Sequence, residues 1–338
     1  MGPSDVSPSS AAAPRPLAVV VMAAGLGTRM KSSIPKPLHK VAGLSILEHV
    51  LRAVSALDPA QILVVVGHGR EAVVATLESF DADERFWPNG TVRPVVQHEQ
   101  LGTGHAVQTA LDALDEPENY DVMVLAGDTP LLTSPLLQGM LDQHRHDGWA
   151  ATVLGAVLDN PTGYGRLVEG APKPGGRRHV LGIVEHRDAT EEQREIQLVN
   201  TSIFCFDGEM LHATLSRLDR NNTQGELYLT DVVELLSNSG HVVGLAVTES
   251  AEEVAGVNDR AELAAANAAF RARINRQWML AGVTMIDPAA TYLDVDVQLA
   301  PDVTVWPGVV LTGRSTVGSG AQLPPGLVGH DLDISSPS

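Results

Sequence analysis

Residues Leu17 to Leu38 read LAVVVMAAGLGTRMKSSIPKPL. The apolar, Val-rich run Leu17–Met22 has the length of a buried β-strand. Gly25 and Gly27 follow at once, and behind them come Thr28, Arg29, Lys31 and Lys36. Glycines let backbone N–H groups approach a bound phosphate closely, and the cations behind them offset its charge. The glycines taken alone fit an ordinary strand-to-loop turn with solvated lysines equally well. Their spacing matches neither G-x-x-x-x-G-K-[ST] nor G-x-G-x-x-G, which disfavours the common triphosphatase loop and the usual dinucleotide loop.

Outward from this stretch, up to about Asp147, strand-like runs alternate with helical patterns. The expected strands are Leu17–Met22, Gln61–Val66, Thr91–Gln97 and Asp121–Leu125. The expected helices are Ser45–Leu57, Glu71–Phe80, Gly104–Leu114 and Pro135–Arg145. Such alternation predicts an α/β fold with a doubly wound, Rossmann-like parallel sheet. Ligands of these sheets bind beyond the carboxyl ends of the strands, so the loops after Met22, Gln97 and Leu125 should share one rim.

The order Ala23-Ala24-Gly25-Leu26-Gly27-Thr28-Arg29-Met30 followed by Pro35-Lys36-Pro37-Leu38 closely resembles the signature of sugar-1-phosphate nucleotidyltransferases. In that chemistry a sugar phosphate attacks the α-phosphate of a nucleoside triphosphate and pyrophosphate leaves. The resemblance implies that Met22, Ala23, Ala24 and Gly25 contact the nucleotide. It implies catalytic roles for Arg29, which steadies the leaving pyrophosphate, and for Lys36, which binds phosphate.

The third-strand loop, Gln97-His98-Glu99-Gln100-Leu101-Gly102-Thr103-Gly104-His105-Ala106, reads in two ways. It is a loop with a helix start capped by Thr103, or it is a base-recognition loop in which a glutamine amide meets the edge of uracil. The segment resembles the UDP-N-acetylglucosamine pyrophosphorylases of the GlmU type, bifunctional bacterial enzymes with an N-terminal uridyltransferase and a C-terminal acetyltransferase. That resemblance places Gln97, Gly102 and Thr103 on uracil. It assigns Ala126 and Gly127 to the substrate and Asp128, at the end of the fourth strand, to Mg²⁺. A turn aspartate is the other reading of Asp128.

Beyond Trp149 the pattern turns β-rich, with an exposed hairpin tip expected over Glu169–Arg177. Three clusters, PTGYGR (161–166), GIVEH (182–186) and LVNT (198–201), are each a strand end or turn by spacing alone. As a set they resemble the family's sugar pocket, in which Gly165, Glu185 and Asn200 hydrogen-bond N-acetylglucosamine. Ser202 departs from the pattern, because a small residue, often glycine, belongs there. NNTQGELYLTD (221–231) resembles a family segment read as scaffold beside the sugar site, with Thr230 or Asp231 as the next helix cap. Asn258 reads as a cap for the helical run Ala261–Leu280; by resemblance it is the second protein ligand of Mg²⁺ and a substrate contact.

Finally, Leu293, Leu299, Val305, Leu311, Val317 and Leu323 recur every six residues, the hexapeptide rhythm of a parallel β-helix. The pattern stops near Gly326, and Gly329 onward fits no repeat. In the resembled family this β-helix is left-handed, trimeric and several times longer, with the acetyltransferase site in later coils. The expected organisation is a tail over 1–16, a nucleotidyltransferase domain over 17–257, a linker helix over 258–282, a truncated β-helix stub over 283–326 and a second tail over 327–338. A short stack has an open end and should fray or pair with neighbouring subunits, as a homotrimer. The acetyltransferase residues are expected to be absent from this chain.

The totals agree with these readings. A 338-residue chain with 44% hydrophobic residues is long enough for two domains. A net charge of −18 argues against nucleic acid and anionic membranes as partners. The only cysteine, Cys205, lies in an apolar run and fits a reducing cytosol. No stretch is long enough to span a bilayer, and the N-terminal tail has no basic region of a signal peptide. The resemblance therefore implies a cytoplasmic uridyltransferase that takes UTP, N-acetylglucosamine 1-phosphate and Mg²⁺. The rivals are another hexose-1-phosphate nucleotidyltransferase and a catalytically silent sugar-nucleotide-binding assembly module.

Overall fold

A computed structural model describes residues 14–81 and 92–334. Up to residue 111 the elements are β1 (Leu17–Met22), the hairpin β2 (Lys40–Val41) and β3 (Leu44–Ser45), α1 (Ile46–Ser55), β4 (Gln61–Val66), α2 (Arg70–Asp81), β5 (Val92–Val96) and α3 (Thr103–Leu111). Next come β6 (Asp121–Ala126), α4 (Ser134–Asp147), β7 (Ala151–Val157), β8 (Arg166–Glu169), β9 (His179–Val184), α5 (Glu191–Arg194) and β10 (Leu198–Asp207). The domain finishes with α6 (Gly208–Leu215), α7 (Asp231–Asn238), β11 (Val243–Val247) and α8 (Arg260–Leu280). Thr91, the expected start of the third strand, lies outside the described residues, as do residues 1–13 of the expected tail.

The main sheet runs β5-β4-β1-β6-β10-β7-β11-β9-β8. From β5 to β6 it is parallel, as the alternation of strands and helices predicts. It then departs from an all-parallel sheet: β10 is antiparallel to both β6 and β7. Alternate residues of a strand face opposite sides of the sheet. Val19 and Val21 of β1 join the core under α1, α2 and α4, while Ala18 and Val20 join the core under α3, α6 and α7. Both faces are covered, which is why β1 and β4 read as unbroken apolar runs. Cys205 of β10 is fully buried between these layers, and burial pushes its thiol far above the usual range. It is a packing residue.

Helix α1 starts where the sequence directs it to. Ser45 accepts from Glu48 N at 3.1 Å, and the Glu48 carboxylate accepts from Ser45 N at 2.7 Å, a reciprocal capping box. The start of the described chain is strapped down, since Arg15 pairs with Asp207 at 2.5 Å and Pro16 O accepts from Asp121 N at 3.0 Å.

The C-terminal part is a short parallel β-helix. Strands β12 (Thr284–Met285), β13 (Tyr292–Leu293) and β14 (Gln298–Leu299) pair in parallel with β15 (Thr304–Val305), β16 (Val310–Thr312) and β17 (Thr316–Val317). These pair in turn with β18 (Gln322–Leu323), β19 (Val328–His330) and β20 (Asp333–Ile334). The pairing thus runs past Gly326 to Ile334. The hexapeptide phase is lost there, yet the backbone still finds the ladder of the coil below, because parallel pairing asks only for main-chain partners. The apolar residues of this stack share one core with Val41, Ile46, Leu131, Phe270 and Ile274. Helix α8 and the β2–β3 hairpin therefore bind the stub to the main domain. Among the described residues, no helix is long and apolar enough to cross a membrane.

Candidate active site

The cleft opens at the carboxyl ends of β1, β5 and β6, on the rim the sequence points to. It encloses about 310 Å³ and is lined by Met22, Ala23, Ala24 and Gly25 after β1, by Gln97, Gly102 and Thr103 after β5, and by Ala126, Gly127 and Asp128 after β6. Two glycines permit this convergence. A Cβ on Gly127 would lie 2.9 Å from Met22 O, and a Cβ on Gly27 would lie 2.6 Å from the Lys36 Cβ. Gly27 also has φ 59°, in the left-handed region that favours glycine. The chain can therefore turn back and place Lys36 beside the first loop.

Lys36 stands at the centre of the charge arrangement. Its Nζ donates to Asp128 Oδ2 at 2.5 Å and to Asn258 Oδ1 at 3.2 Å. Arg29 donates to the same Asn258 Oδ1 at 2.9 Å. The backbone explains how Asn258 arrives there. Val257 N donates to Asp128 O at 2.8 Å, and the bare Cα of Gly256 faces the Asp128 carboxylate, where an added Cβ would be 3.4 Å from Oδ1. Asp259, not Asn258, caps α8, accepting from Ala261 N and Glu262 N at 2.8 and 2.9 Å. The Asn258 side chain is thereby left to the cleft.

The loop after β5 is fixed from two sides. Gly102, at φ 112°, lies so close to the next segment that a Cβ would be 2.4 Å from Leu227 O. Around it Gly104 N donates to Leu227 O at 2.8 Å and Leu227 N donates to Leu101 O at 2.7 Å. Thr103 does not act as the helix cap. Gly102 holds that position, and the Thr103 hydroxyl accepts from Leu229 N at 3.0 Å. The Gln97 amide nitrogen donates to Gly102 O at 3.2 Å and meets His105 Nδ1 at 3.0 Å. Gln100, given no role by the sequence pattern, donates from Nε2 to Ala24 O at 2.7 Å and so ties the Gln97–Ala106 loop to the glycine loop. Its place inside the QHEQLGTGHA motif was the available signal.

Gly165, Glu185 and Asn200 form a second group. Asn200 N donates to Gly165 O at 2.9 Å, and an added Cβ on Gly165 would be 3.5 Å from both Glu185 oxygens. Glu185 is largely buried, and this desolvation raises its carboxyl above the usual range; the Thr230 hydroxyl, donating at 3.2 Å, opposes the rise. Thr230 occupies the cap position of α7, but its side chain serves Glu185 rather than the helix. LVNT is not a strand end: β10 continues through it, with a bulge between Asn200 and Phe204. Ser202 sits in this bulge at φ 60° with its N–H donating to Asn200 Oδ1 at 3.0 Å, and it also lines the cleft. It links the two groups.

The oxygens of Asp128 and Asn258 converge on one cation, an ammonium. One carboxylate and one amide oxygen form a hard donor set, which suits a divalent cation that also takes phosphate oxygens and water. Among the described residues no group of three or more His, Cys, Asp or Glu side chains forms a metal cluster, so such a cation would depend on its substrate for further ligands.

Residues 19–230 match the MobA-like NTP transferase domain family. The chain is 44% identical over 326 residues to the bifunctional protein GlmU of Thermobifida fusca, covering 95% of this chain and 64% of that protein. It is 45% identical to the GlmU of Streptomyces avermitilis (92% of this chain, 62% of that one) and 45% identical to that of Cutibacterium acnes (94% and 74%). The chain thus spans a little under two thirds of the first two relatives' length. Among solved structures, a UDP-glucose pyrophosphorylase complexed with UDP-glucose superposes with a TM-score of 0.62 at 13% identity, over 76% of this chain and 99% of that one. At that identity the likeness speaks for the fold.

Proposed function

Because this chain belongs to the GlmU proteins and carries their MobA-like NTP transferase domain, we propose that its cleft joins UTP to N-acetylglucosamine 1-phosphate, giving UDP-N-acetylglucosamine and pyrophosphate. The observation that carries this reading is the Lys36 ammonium held between Asp128 and Asn258, with Arg29 on the same Asn258, beside a cleft lined by the glycine loop. In the reaction an oxygen of the sugar phosphate forms a bond to the α-phosphorus of UTP. The bond from that phosphorus to the β-phosphate oxygen breaks, and its electron pair leaves on pyrophosphate.

No covalent enzyme intermediate is required, since the attacking phosphate is already an anion. The protein's work is to position the two substrates and to stabilise charge. Backbone N–H groups of the Ala24–Gly27 turn approach the triphosphate. Lys36 and Arg29 stabilise the negative charge that grows on the leaving group. Gln97, Gly102 and Thr103 orient uracil, while Gly165, Glu185 and Asn200 hold the sugar. Asp128 and Asn258 would hold Mg²⁺, which when bound neutralises phosphate charge. In a chain of net charge −18, these cations concentrate positive charge where the triphosphate must sit.

The same reading takes 17–257 as the catalytic domain, 258–282 as the connecting helix and 283–326 as the repeat-bearing core of the β-helix. The product would supply cell-wall polymer synthesis, and the location this reading assigns is the cytoplasm. The exposed apolar side chains of Ile286, Trp306 and Val328 on the stub support a homotrimer. The direct test is pyrophosphate release from UTP with N-acetylglucosamine 1-phosphate, compared with glucosamine 1-phosphate, glucose 1-phosphate and other triphosphates. Preference for a different triphosphate or sugar would redirect the assignment, and no release with any pair would end it.

A further inference from the structure

A second cavity, of about 610 Å³, lies where the β2–β3 hairpin, α8 and the first coils of the β-helix meet. It is larger than the cleft and separate from it. Lys40 of β2 and Arg271 of α8 line it, and neither forms an ion pair among the described residues. The Arg271 guanidinium lies 4.6 Å above the Tyr292 ring, which fixes its plane and leaves the N–H edges able to grip a planar or tetrahedral anion. The one acid in the wall, Asp294, accepts through Oδ2 from Gly313 N, also a wall residue, at 2.9 Å. His330 completes the wall, with Nδ1 3.0 Å from the Thr312 hydroxyl.

Two cations against the single carboxylate of Asp294 leave this wall with an excess of positive charge, which is unusual in a chain whose net charge is −18. The walls are also continuous with the active cleft. Strand β2 begins shortly after Lys36, and α8 begins shortly after Asn258. The two elements are tied at the cavity by Asn267, whose Oδ1 accepts from Ala42 N at 3.1 Å. We infer that this cavity is a second anion site, which takes a small phosphate-bearing molecule between Lys40 and Arg271. The inference goes beyond the uridyltransferase reading and does not rest on it.

Hydrogen–deuterium exchange of the full chain, titrated with inorganic phosphate, tests the site because it reports each segment separately. The expected result is saturable slowing over residues 40–43 and 292–294. That slowing should weaken at least tenfold in the K40E/R271E double variant and persist in Arg29→Ala, which impairs only the cleft. Both substituted side chains reach the cavity surface, so the variant should fold; K40A and R271A singly, each expected to weaken the response, serve if it does not. Slowing confined to residues 25–36, or slowing at the cavity unchanged by these substitutions, would overturn the inference.

Discussion

The carboxylate of Asp128 and the side-chain oxygen of Asn258 share one hydrogen-bond donor, the Lys36 ammonium, at 2.5 and 3.2 Å. The two residues are far apart in the chain, and the Val257 N to Asp128 O bond holds their segments together. The two oxygens are thus balanced by a lysine, and on the proposed reading they are the pair that would hold the cation. A phosphate-bound cation entering between them would displace the ammonium towards the phosphates.

Asp128→Ala should lower the rate of pyrophosphate release by at least about a hundredfold, because it removes both the carboxylate of the donor pair and the anchor of Lys36. Leaving a mostly buried ammonium with only the neutral Asn258 Oδ1 as partner should also cost about 1–3 kcal/mol of stability. Denaturant unfolding beside the turnover assay separates the two effects. Unchanged turnover would refute the role given to this acid.

Ser202 holds a left-handed conformation at φ 60° in the β10 bulge. A non-glycine residue there costs about 1–2 kcal/mol, and glycine returns part of that as unfolded-chain entropy. Ser202→Gly should therefore raise stability by about 0.5–1 kcal/mol, while Ser202→Val should lower it. The N–H bond to Asn200 survives in both variants. Chemical denaturation curves of the three proteins decide the matter.

Gly102 has φ 112°, and its Cα faces Leu227 O with no room for a methyl group. Gly102→Ala must push the loop off the 226–229 segment. We expect the KM for UTP to rise at least tenfold, a loss of about 1.4 kcal/mol in binding, with a smaller change for the sugar phosphate. Steady-state kinetics with each substrate varied in turn measures the split. Equal KM values for both substrates in variant and parent would count against a base-loop role.

His49 is buried between Val41 O, which accepts from Nε2 at 2.7 Å, and the Phe270 ring. Desolvation is the largest influence on it; Arg52 also lowers its pKa, while Val41 O, Glu48 and Asp296 oppose the fall, and the net result is a pKa of about 4. A histidine depressed in the folded state contributes stability that is complete above its unfolded pKa near 6.5 and is lost as pH falls from there towards 4. Unfolding free energy should therefore drop by about 2–3 kcal/mol across that window. In His49→Gln the slope over the same range should flatten. Denaturation midpoints measured at several pH values would show a parallel slope in both proteins if this residue were not responsible.

Much of this protein is legible without coordinates. Unbroken apolar runs mark β1 and β4 because both sheet faces are covered. The glycine loop, the Gln97–Ala106 loop and Asp128 fall on one rim because parallel strands all end there. The six-residue rhythm marks the β-helix because each coil must turn an aliphatic side chain inward. Other features depend on contacts between distant segments, which local pattern does not encode. The cap of α8 passes to Asp259, and Asn258 is freed, only because Val257 docks on Asp128. The Thr230 hydroxyl turns to Glu185 rather than to its own helix because a desolvated carboxyl needs a donor. The antiparallel insertion of β10, the bulge at Ser202 and the pairing beyond Gly326 are likewise set by the neighbouring strand, since a main chain takes whatever partner lies alongside. The sequence by itself determined which elements form and where the glycines, cations and acids fall along them. Tertiary packing alone decided which of those residues face one another, because that choice rests on hydrogen bonds and close approaches between segments far apart in the chain.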